Sequence, residues 1–402
     1  MKAAIIADDL TGACDSAVGF VRAGHTAIVG FHPHGRVGST ADVISIDTES
    51  RGVSDGEAAR RVRDAIRDIG ERPLLIKKLD STLRGQVGAE LKAALELGGR
   101  ATAILAPAFP EYRRTTVEAT QLLDGAPVHE SAAGRDPIAP ARTSRLDELL
   151  GGAGIKDVAR LSRQELGDRG RLRSLLKGAS VVIVDAETDR DLDLLVRSVE
   201  DPSSVLWAGS TGISRALGRA LPGPGRPTST PPSVERVLVV VGSLNPVSRE
   251  QLEVLRRRGD VRYAQLVVTP TFNGEHPLLS PDIEGEDPGA ITAIASDPLR
   301  LAPHPDSTTA AAVATGLAHM TSALVNKGIG GLVLTGGDTA TAVARRLGFG
   351  GFRVLGEVGP GIPHGVVIGE SELSVVTKAG GFGDPTALLR AATLLLDRGG
   401  LP

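Results

Sequence analysis

The chain has 402 residues, 41% of them hydrophobic and 23% charged, and a net charge of −3. That is the length of two domains of ordinary size and the composition of a soluble globular protein, with no basic excess to draw nucleic acid or an anionic membrane. The one cysteine, Cys14, excludes an internal disulfide and a multi-cysteine metal site, and no apolar stretch approaches a membrane span.

Short apolar runs alternate with helical patterns from end to end, the signature of parallel sheets with crossover helices. Strands are expected at 3–7, 42–46, 74–76, 103–105, 181–184 and 205–207. Helices are expected over 12–23, 55–69 and 86–97, each followed by glycine. The N-terminus MKAAIIADDL meets two aspartates too early to be a signal peptide, so the cytoplasm is the expected location. Residues 221–234 carry five prolines and read as a stiff linker. It divides an N-terminal domain, 1–220, from a C-terminal one, 235–402. Beyond it come strands at 237–241, 331–334 and 373–377. Helices are expected over 247–258, 310–326, 339–347 and 385–397, the last with Asp384 as cap and Pro385 leading. Residues 273–305, rich in Pro, Gly and Asp, read as irregular. The fold expected is α/β: two three-layer domains with largely parallel sheets and a ligand site in the cleft between them.

The chemistry gathers at strand ends, where open α/β sheets bind ligands. The first strand runs into ADDLTG. Asp8 and Asp9 can bind a metal, accept a hydroxyl's hydrogen bond or act as a base, and equally can form a turn and helix cap. TESRG offers Arg51 as a bidentate carboxylate clamp. KKLDSTLRG places Lys77, Lys78, Asp80, Ser81, Thr82, Leu83, Arg84 and Gly85 between a strand and a helix. Only eight of the 45 basic residues are lysines, and three of these (Lys77, Lys78 and Lys378) sit in such packets, where a compact ammonium has a use. APAFPEYRR adds Arg113 and Arg114, of which at least one is expected to be solvated surface. The second half has three glycine-rich strand ends: Gly242, Ser243 and Asn245; Gly336, Gly337, Asp338 and Thr339; and Lys378, Gly380, Gly381 and Gly383. Bare amides and helix N-termini suit phosphates. None of the three is a Walker A loop or a dinucleotide fingerprint. Cys14 reads as a packing residue, and the eight histidines, His364 among them, lack metal-ligand spacing.

DDLTGACDSA, KKLDSTLRGQVGAEL, APAFPEYRRTT, GS, TGGDTA and KAGGFGDPTAL stand in the order found in the four-carbon acid sugar kinase family, which the chain resembles over nearly its whole length. The resemblance implies a sugar-acid-binding N-terminal domain and a nucleotide-binding C-terminal domain. It implies transfer of the ATP γ-phosphate to the terminal hydroxyl of threonate, erythronate or a 3-oxo-tetronate, and the TLRG form of the packet leans to threonate. By matching motif, Asp9, Arg51 and Ser81 to Arg84 are the acid-sugar contacts, with Asp8 beside them. Ser243, Gly336 to Thr339 and Gly381 are the ATP contacts. Family members often read Lys-Ser-Gly-Asn-Phe-Gly where this chain has Lys378 to Gly383 as KAGGFG, and carry tryptophan where it has His364.

The residues fit such a reaction. Arg51 and Arg84 can hold a carboxylate, Asp9 or Asp80 can take the hydroxyl proton, with Asp8 structural or facing a metal, and Lys78 with Mg²⁺ can neutralise phosphate charge. The metal ligands are left open. A sugar acid and ATP are the expected partners, with a homodimer allowed, and hinge closure about the linker is the expected motion. Two rivals remain: a non-catalytic sugar-acid clamp, for which phosphate-ready turns have no use, and a hydroxy-acid dehydrogenase, which would need a glycine turn where Asp8 and Asp9 stand.

Overall fold

β-Branched and aliphatic runs of five residues, too short for a helix and flanked by glycine and aspartate, become buried strands. A computed structural model describes residues 2–31, 40–70, 74–136, 138–225, 228–268, 278–279, 289–296, 307–369 and 372–396. The chain divides into two compact units, Met1–Thr228 and Ser229–Pro402.

In the first unit the elements run β1 (Ala3–Ala7), α1 (Leu10–Arg22), β2 (Ala27–Phe31), β3 (Val43–Asp47), α2 (Asp55–Ile69), β4 (Leu74–Lys78), α3 (Val87–Gly98) and β5 (Ala103–Ala106). A small antiparallel sheet follows, of β6 (Arg114–Val117), β7 (Thr120–Leu123) and β8 (Ala126–Pro127). Then come α4 (Leu146–Gly152), β9 (Val158–Leu161), α5 (Arg169–Gly178), β10 (Val181–Val184), α6 (Asp189–Ser198), β11 (Leu206–Gly209) and α7 (Thr211–Ala220). The main sheet has the order β2-β3-β1-β4-β11-β5-β10-β9, parallel throughout. Ala4, Ile6, Leu75, Val62, Ile66, Leu91 and Leu146 form a core on one face, under α2, α3 and α4. On the other face α1 meets α7 closely because glycines stand at the crossing: a Cβ on Gly218 would lie 2.3 Å from the Gly19 carbonyl oxygen. The chain leaves β1 for β2 and β3 on one side and returns to β4 on the other. That reversal opens a crevice at the carboxyl ends of β3, β1 and β4.

The second unit runs β12 (Val237–Val241), α8 (Pro246–Arg256), β13 (Val261–Val268), β14 (Leu278–Leu279), β15 (Ile291–Ser296), α9 (Ser307–Val325), β16 (Gly331–Thr335) and α10 (Gly337–Arg346). It closes with β17 (Gly351–Glu357), β18 (Pro363–Ile368), β19 (Ser374–Lys378) and α11 (Ala387–Leu396). Sheet order is β14-β13-β15-β12-β16-β19-β18-β17. The pairings from β13 through β19 are parallel, and β14, β18 and β17 join antiparallel. Val237, Val239, Val241, Leu252, Leu255, Leu388 and Leu395 pack together under α8 and α11. Here too the chain reverses about one strand, β12, with β15 on one side and β16 on the other.

Most expected strands appear within two residues of their anticipated ends. The stretch 273–305 differs: its residues 291–296 form a fully buried central strand, and apart from 278–279 and 289–296 it lies outside the described residues. Helix α11 starts at Ala387, not at Pro385, because Asp384 spends its carboxylate on the Thr386 amide and hydroxyl (2.8 and 2.6 Å) in a preceding turn. The second lysine-bearing strand is also longer than its apolar run, since Lys77 and Lys78 are its last two residues. No helix among the described residues is long and apolar enough to cross a membrane.

Candidate functional site

In the first unit the site residues come from the ends of β1, β3 and β4. Asp9 leaves β1 with extended backbone and caps α1, accepting from the Gly12 amide at 3.1 Å through Oδ1 and from the Thr11 hydroxyl at 2.5 Å through Oδ2. The Ser50 and Arg51 amides donate to the Asp8 carbonyl at 3.1 and 3.3 Å, which fixes the loop after β3 against the end of β1. Arg51 then spans both aspartates, with Nε donating to Asp8 Oδ2 at 2.7 Å and Nη2 to Asp9 Oδ1 at 2.6 Å, and lies 3.8 Å from Asp80 Oδ1. Among the described residues its Nη1 meets no acceptor, so part of the fork is left for a ligand.

Asp80 is saturated. Its Oδ2 accepts from the Thr82 amide (3.2 Å) and hydroxyl, from the Arg84 amide (3.3 Å) and from Arg84 Nε (3.0 Å), while Oδ1 accepts from Arg84 Nη2 at 3.0 Å. Arg84 Nη1 continues to Asp136 Oδ2 at 3.1 Å. Asp136 joins the cluster although no motif marks it in the sequence. Burial works against charge on Asp80, but Arg84 and Arg51 outweigh it and hold the carboxyl well below the usual range. At Asp9 burial is likewise outweighed, by Arg51 and Lys78, and its carboxyl is held below the ordinary value. Leu83 has a left-handed backbone (φ 60°) and its side chain is in the core, so only its main chain can face a ligand. The Ser81 hydroxyl meets no protein partner among the described residues.

The two adjacent lysines point to opposite faces of the sheet, as strand alternation requires. Lys77 is fully buried and bonds Glu90 Oε2 at 2.8 Å, the Lys78 carbonyl at 2.8 Å and the Ile6 carbonyl at 3.3 Å, so it is internal structure. Lys78 lies on the site side, 5% exposed, and its ammonium meets no hydrogen-bond acceptor among the described residues. It feels Asp9 and Asp15 electrostatically. Gly12 makes room for it: a Cβ there would lie 2.7 Å from Lys78 Nζ and 2.5 Å from Asp9 Oδ1. Gly12→Ala should therefore leave the melting temperature nearly unchanged, because two side-chain ends can shift, while kcat/KM drops about 10- to 100-fold as both are displaced. A kcat/KM within twofold of wild type would refute this.

Other charged groups surround the cluster. Arg113 is 79% exposed and pairs with Asp124 at 2.7 Å, the solvated role anticipated for one of the two arginines. Arg114 is turned inward, its guanidinium 5.7 Å from the Tyr112 ring centroid; burial pulls its pKa down, with Asp80 opposing. Asp47, at the end of β3, is fully buried. Burial, then the charge of Glu49, and more weakly Asp9 and Asp8, push its carboxyl well up. A proton retained in the fold but released on unfolding makes stability fall as pH rises from 3.8 to the folded pKa. Asp47→Asn has no such slope. Its stability relative to wild type should climb with pH across that window and then level off, as read by urea unfolding between pH 4 and 9; a constant difference would mean Asp47 is ionised. Cys14 is buried.

In the second unit the three glycine turns meet at the ends of β12, β16 and β19, which are sheet neighbours. A Cβ on Gly380 would lie 2.2 Å from Ser243 Oγ, one on Gly381 3.3 Å from Asn245 Nδ2, and one on Gly336 3.4 Å from the Ser243 amide. Gly336 takes a positive φ (100°) at the N-cap of α10, so Gly337 and Asp338 open the helix at this point. Thr339 is buried with Oγ1 packed on Gly242, which places it beneath the turn. Lys378 is internal as well. His364 is buried on β18, and burial holds its pKa down at about 4, so it is neutral. Among the described residues no group of three or more His, Cys, Asp or Glu side chains is placed to hold a metal ion.

Two family models match the chain. Residues 3–217 match the family model described as a sugar-binding N-terminal domain, and 238–388 the one described as a nucleotide-binding C-terminal domain. The D-threonate kinase of Salmonella typhimurium is 33% identical, covering 97% of this chain and 97% of its own length. That of Bordetella bronchiseptica is 34% identical over 98% and 97%. The D-erythronate kinase of Heliobacterium modesticaldum is 30% identical over 98% and 97%. Solved structures from Salmonella typhimurium (TM-score 0.79, 23% identity, 97% and 98% covered) and Haemophilus influenzae (0.70, 21%, 98% and 100%) share the fold. The chain belongs to the four-carbon acid sugar kinase family.

Proposed function

We propose that this protein is an ATP-dependent kinase that phosphorylates the terminal (C4) hydroxyl of a four-carbon acid sugar, D-threonate before D-erythronate or a 3-oxo-tetronate. The observation that carries the reading is the set of unspent groups at the β1–β3–β4 crevice. Arg51 Nη1, the Ser81 hydroxyl and the Lys78 ammonium have no protein acceptor among the described residues, and they stand with the Asp9 carboxylate. A tetronate presents a carboxylate for guanidinium, hydroxyls for serine and aspartate, and a primary alcohol to be deprotonated.

The roles follow from which lone pairs and protons are free. Asp80, paired through both oxygens with the Arg84 guanidinium and bonded to Thr82, holds Arg84 and the packet in shape. Asp9 Oδ2 is engaged only by the Thr11 hydroxyl and keeps a lone pair, so Asp9 is the base that takes the C4 hydroxyl proton. Arg51 and Arg84 orient the substrate, and Asp8 fixes Arg51 Nε. Lys78 neutralises charge on the transferred phosphoryl group. In the second unit, Ser243, the Gly336–Thr339 turn and Gly381 cradle the nucleotide phosphates with main-chain amides. Mg²⁺ fits as an ion carried in on the triphosphate, where it would supply charge neutralisation.

An ADP-release assay with Mg²⁺·ATP across D-threonate, L-threonate, D-erythronate and 3-oxo-tetronates tests the assignment. Turnover with D-threonate above the other acids is the expected result. ATP binding without turnover on any four-carbon acid would overturn it, and absent ATP binding would favour a non-catalytic sugar-acid clamp.

A further inference from the structure

A lysine at the head of a glycine turn is ordinarily assigned to the ligand's phosphate, as a point charge. Lys378 does not fit that assignment. It is the last residue of β19 and has no exposed surface. Its ammonium is enclosed by the turn that follows it, donating to the carbonyls of Ala379 (3.0 Å), Gly380 (3.2 Å) and Phe382 (3.1 Å) and to Ser248 Oγ (3.3 Å). Three N–H donors facing four acceptors leave none for a ligand. Neighbours brace two of these carbonyls: Ser248 Oγ donates to that of Gly380 at 2.7 Å, and Gln251 Nε2 to that of Phe382 at 3.0 Å and also to that of Asp384 at 2.8 Å.

Peptide planes make this consequential. A carbonyl drawn inward turns the amide of the next residue away from it, because C=O and N–H of one peptide unit point in opposite directions. Among the described residues the amides of Gly380, Gly381 and Gly383 donate to no protein acceptor. Gly380 and Gly381 stand against Ser243 and Asn245, at the meeting point of the three turns. Carbonyls gathered on the lysine side and bare amides on the other make one anion-ready turn.

We infer that Lys378 is the positioning residue of the nucleotide site: from inside the turn it gathers the carbonyls of residues 379, 380 and 382 and thereby presents the amides of Gly380, Gly381 and Gly383 to the phosphates. This rests on the kinase reading and assigns to one side chain the shape of its phosphate loop. It also accounts for a turn that works as Ala-Gly-Gly, without polar side chains, since the binding groups are main-chain amides.

Isothermal titration of wild type, Lys378→Met and Ser248→Ala with ADP, and separately with D-threonate, tests it alongside thermal melts. Lys378→Met should raise the ADP Kd about 10- to 100-fold, the scale of losing two or three hydrogen bonds that shape the turn. It should leave the D-threonate Kd within twofold, a split that general loosening of the chain would not produce. Ser248→Ala should raise the ADP Kd about threefold or more by the same route. A folded Lys378→Met that binds ADP as wild type does overturns the inference and leaves the kinase reading standing. Should Lys378→Met not fold, Ser248→Ala decides, an unchanged ADP Kd overturning the inference. Wild-type protein that binds no ADP overturns both.

Discussion

Asp9→Asn is expected to lower kcat by about 10²–10⁴, the usual worth of a positioned general base, while the chain stays folded. Asparagine keeps an oxygen for the Gly12 amide, so the cap on α1 survives, and the neighbouring Asp8 still takes Arg51 Nε. What disappears is the basic lone pair. The Kd for D-threonate should change by less than about fivefold, because the proposed contacts from Arg51, Arg84 and Ser81 are untouched. Asp80→Asn provides the contrast. It removes the charge that holds Arg84 through both oxygens and attracts Arg51, so its main effect should be on the sugar-acid KM, about tenfold or more upward, with the ATP KM nearly intact. If Asp80→Asn instead loses kcat by orders of magnitude and Asp9→Asn does not, the base is Asp80 and the order of roles is reversed.

The parallel architecture was legible because it rests on local pattern: AAIIA, VVIV and VLVVV are strands with the bounds their apolar runs suggest. The motif positions were legible because each lies where such a run stops. Pairing was not. Nothing in the order of strands says that the chain reverses about β1 and β12, yet that reversal brings Asp9, Arg51 and Lys78 together. Strand β15, ITAIAS, was hidden because small and polar residues around it outweigh six residues of pattern, though every one of them is buried. The β17–β18 hairpin was hidden by the glycines and prolines of its turn, which signal irregularity and hairpins alike. Arg113 and Arg114 are identical in composition. Arg113 takes a left-handed backbone (φ 54°), and the strand that begins at Arg114 turns the second guanidinium inward.

The lysine pair shows the same limit and carries the second large expected effect. Lys77 looked like half of a basic packet, and alternation along β4 puts it on the face opposite Lys78, where Glu90 of α3 receives it with both side chains almost wholly buried. Burial pushes the Glu90 carboxyl up, with Lys77 opposing. Lys77→Met leaves that carboxylate without its cation and frees the carbonyls of Ile6 and Lys78, so it should cost about 3–5 kcal/mol of stability. The double variant Lys77→Met, Glu90→Leu removes both desolvated charges and should recover most of the loss. Trp207, the single tryptophan, is the natural probe: it is fully buried on β11, opposite Ile76 of β4 in the parallel register, so urea unfolding read by its fluorescence reports on this unit. A cost below about 1 kcal/mol for Lys77→Met would mean the pair is not enclosed as described. The double variant separates packing from chemistry: with stability restored, Lys78 still sits at the end of β4, and turnover within a few-fold of wild type is expected. Recovered stability with turnover still lost would give Lys77 a part in the reaction after all.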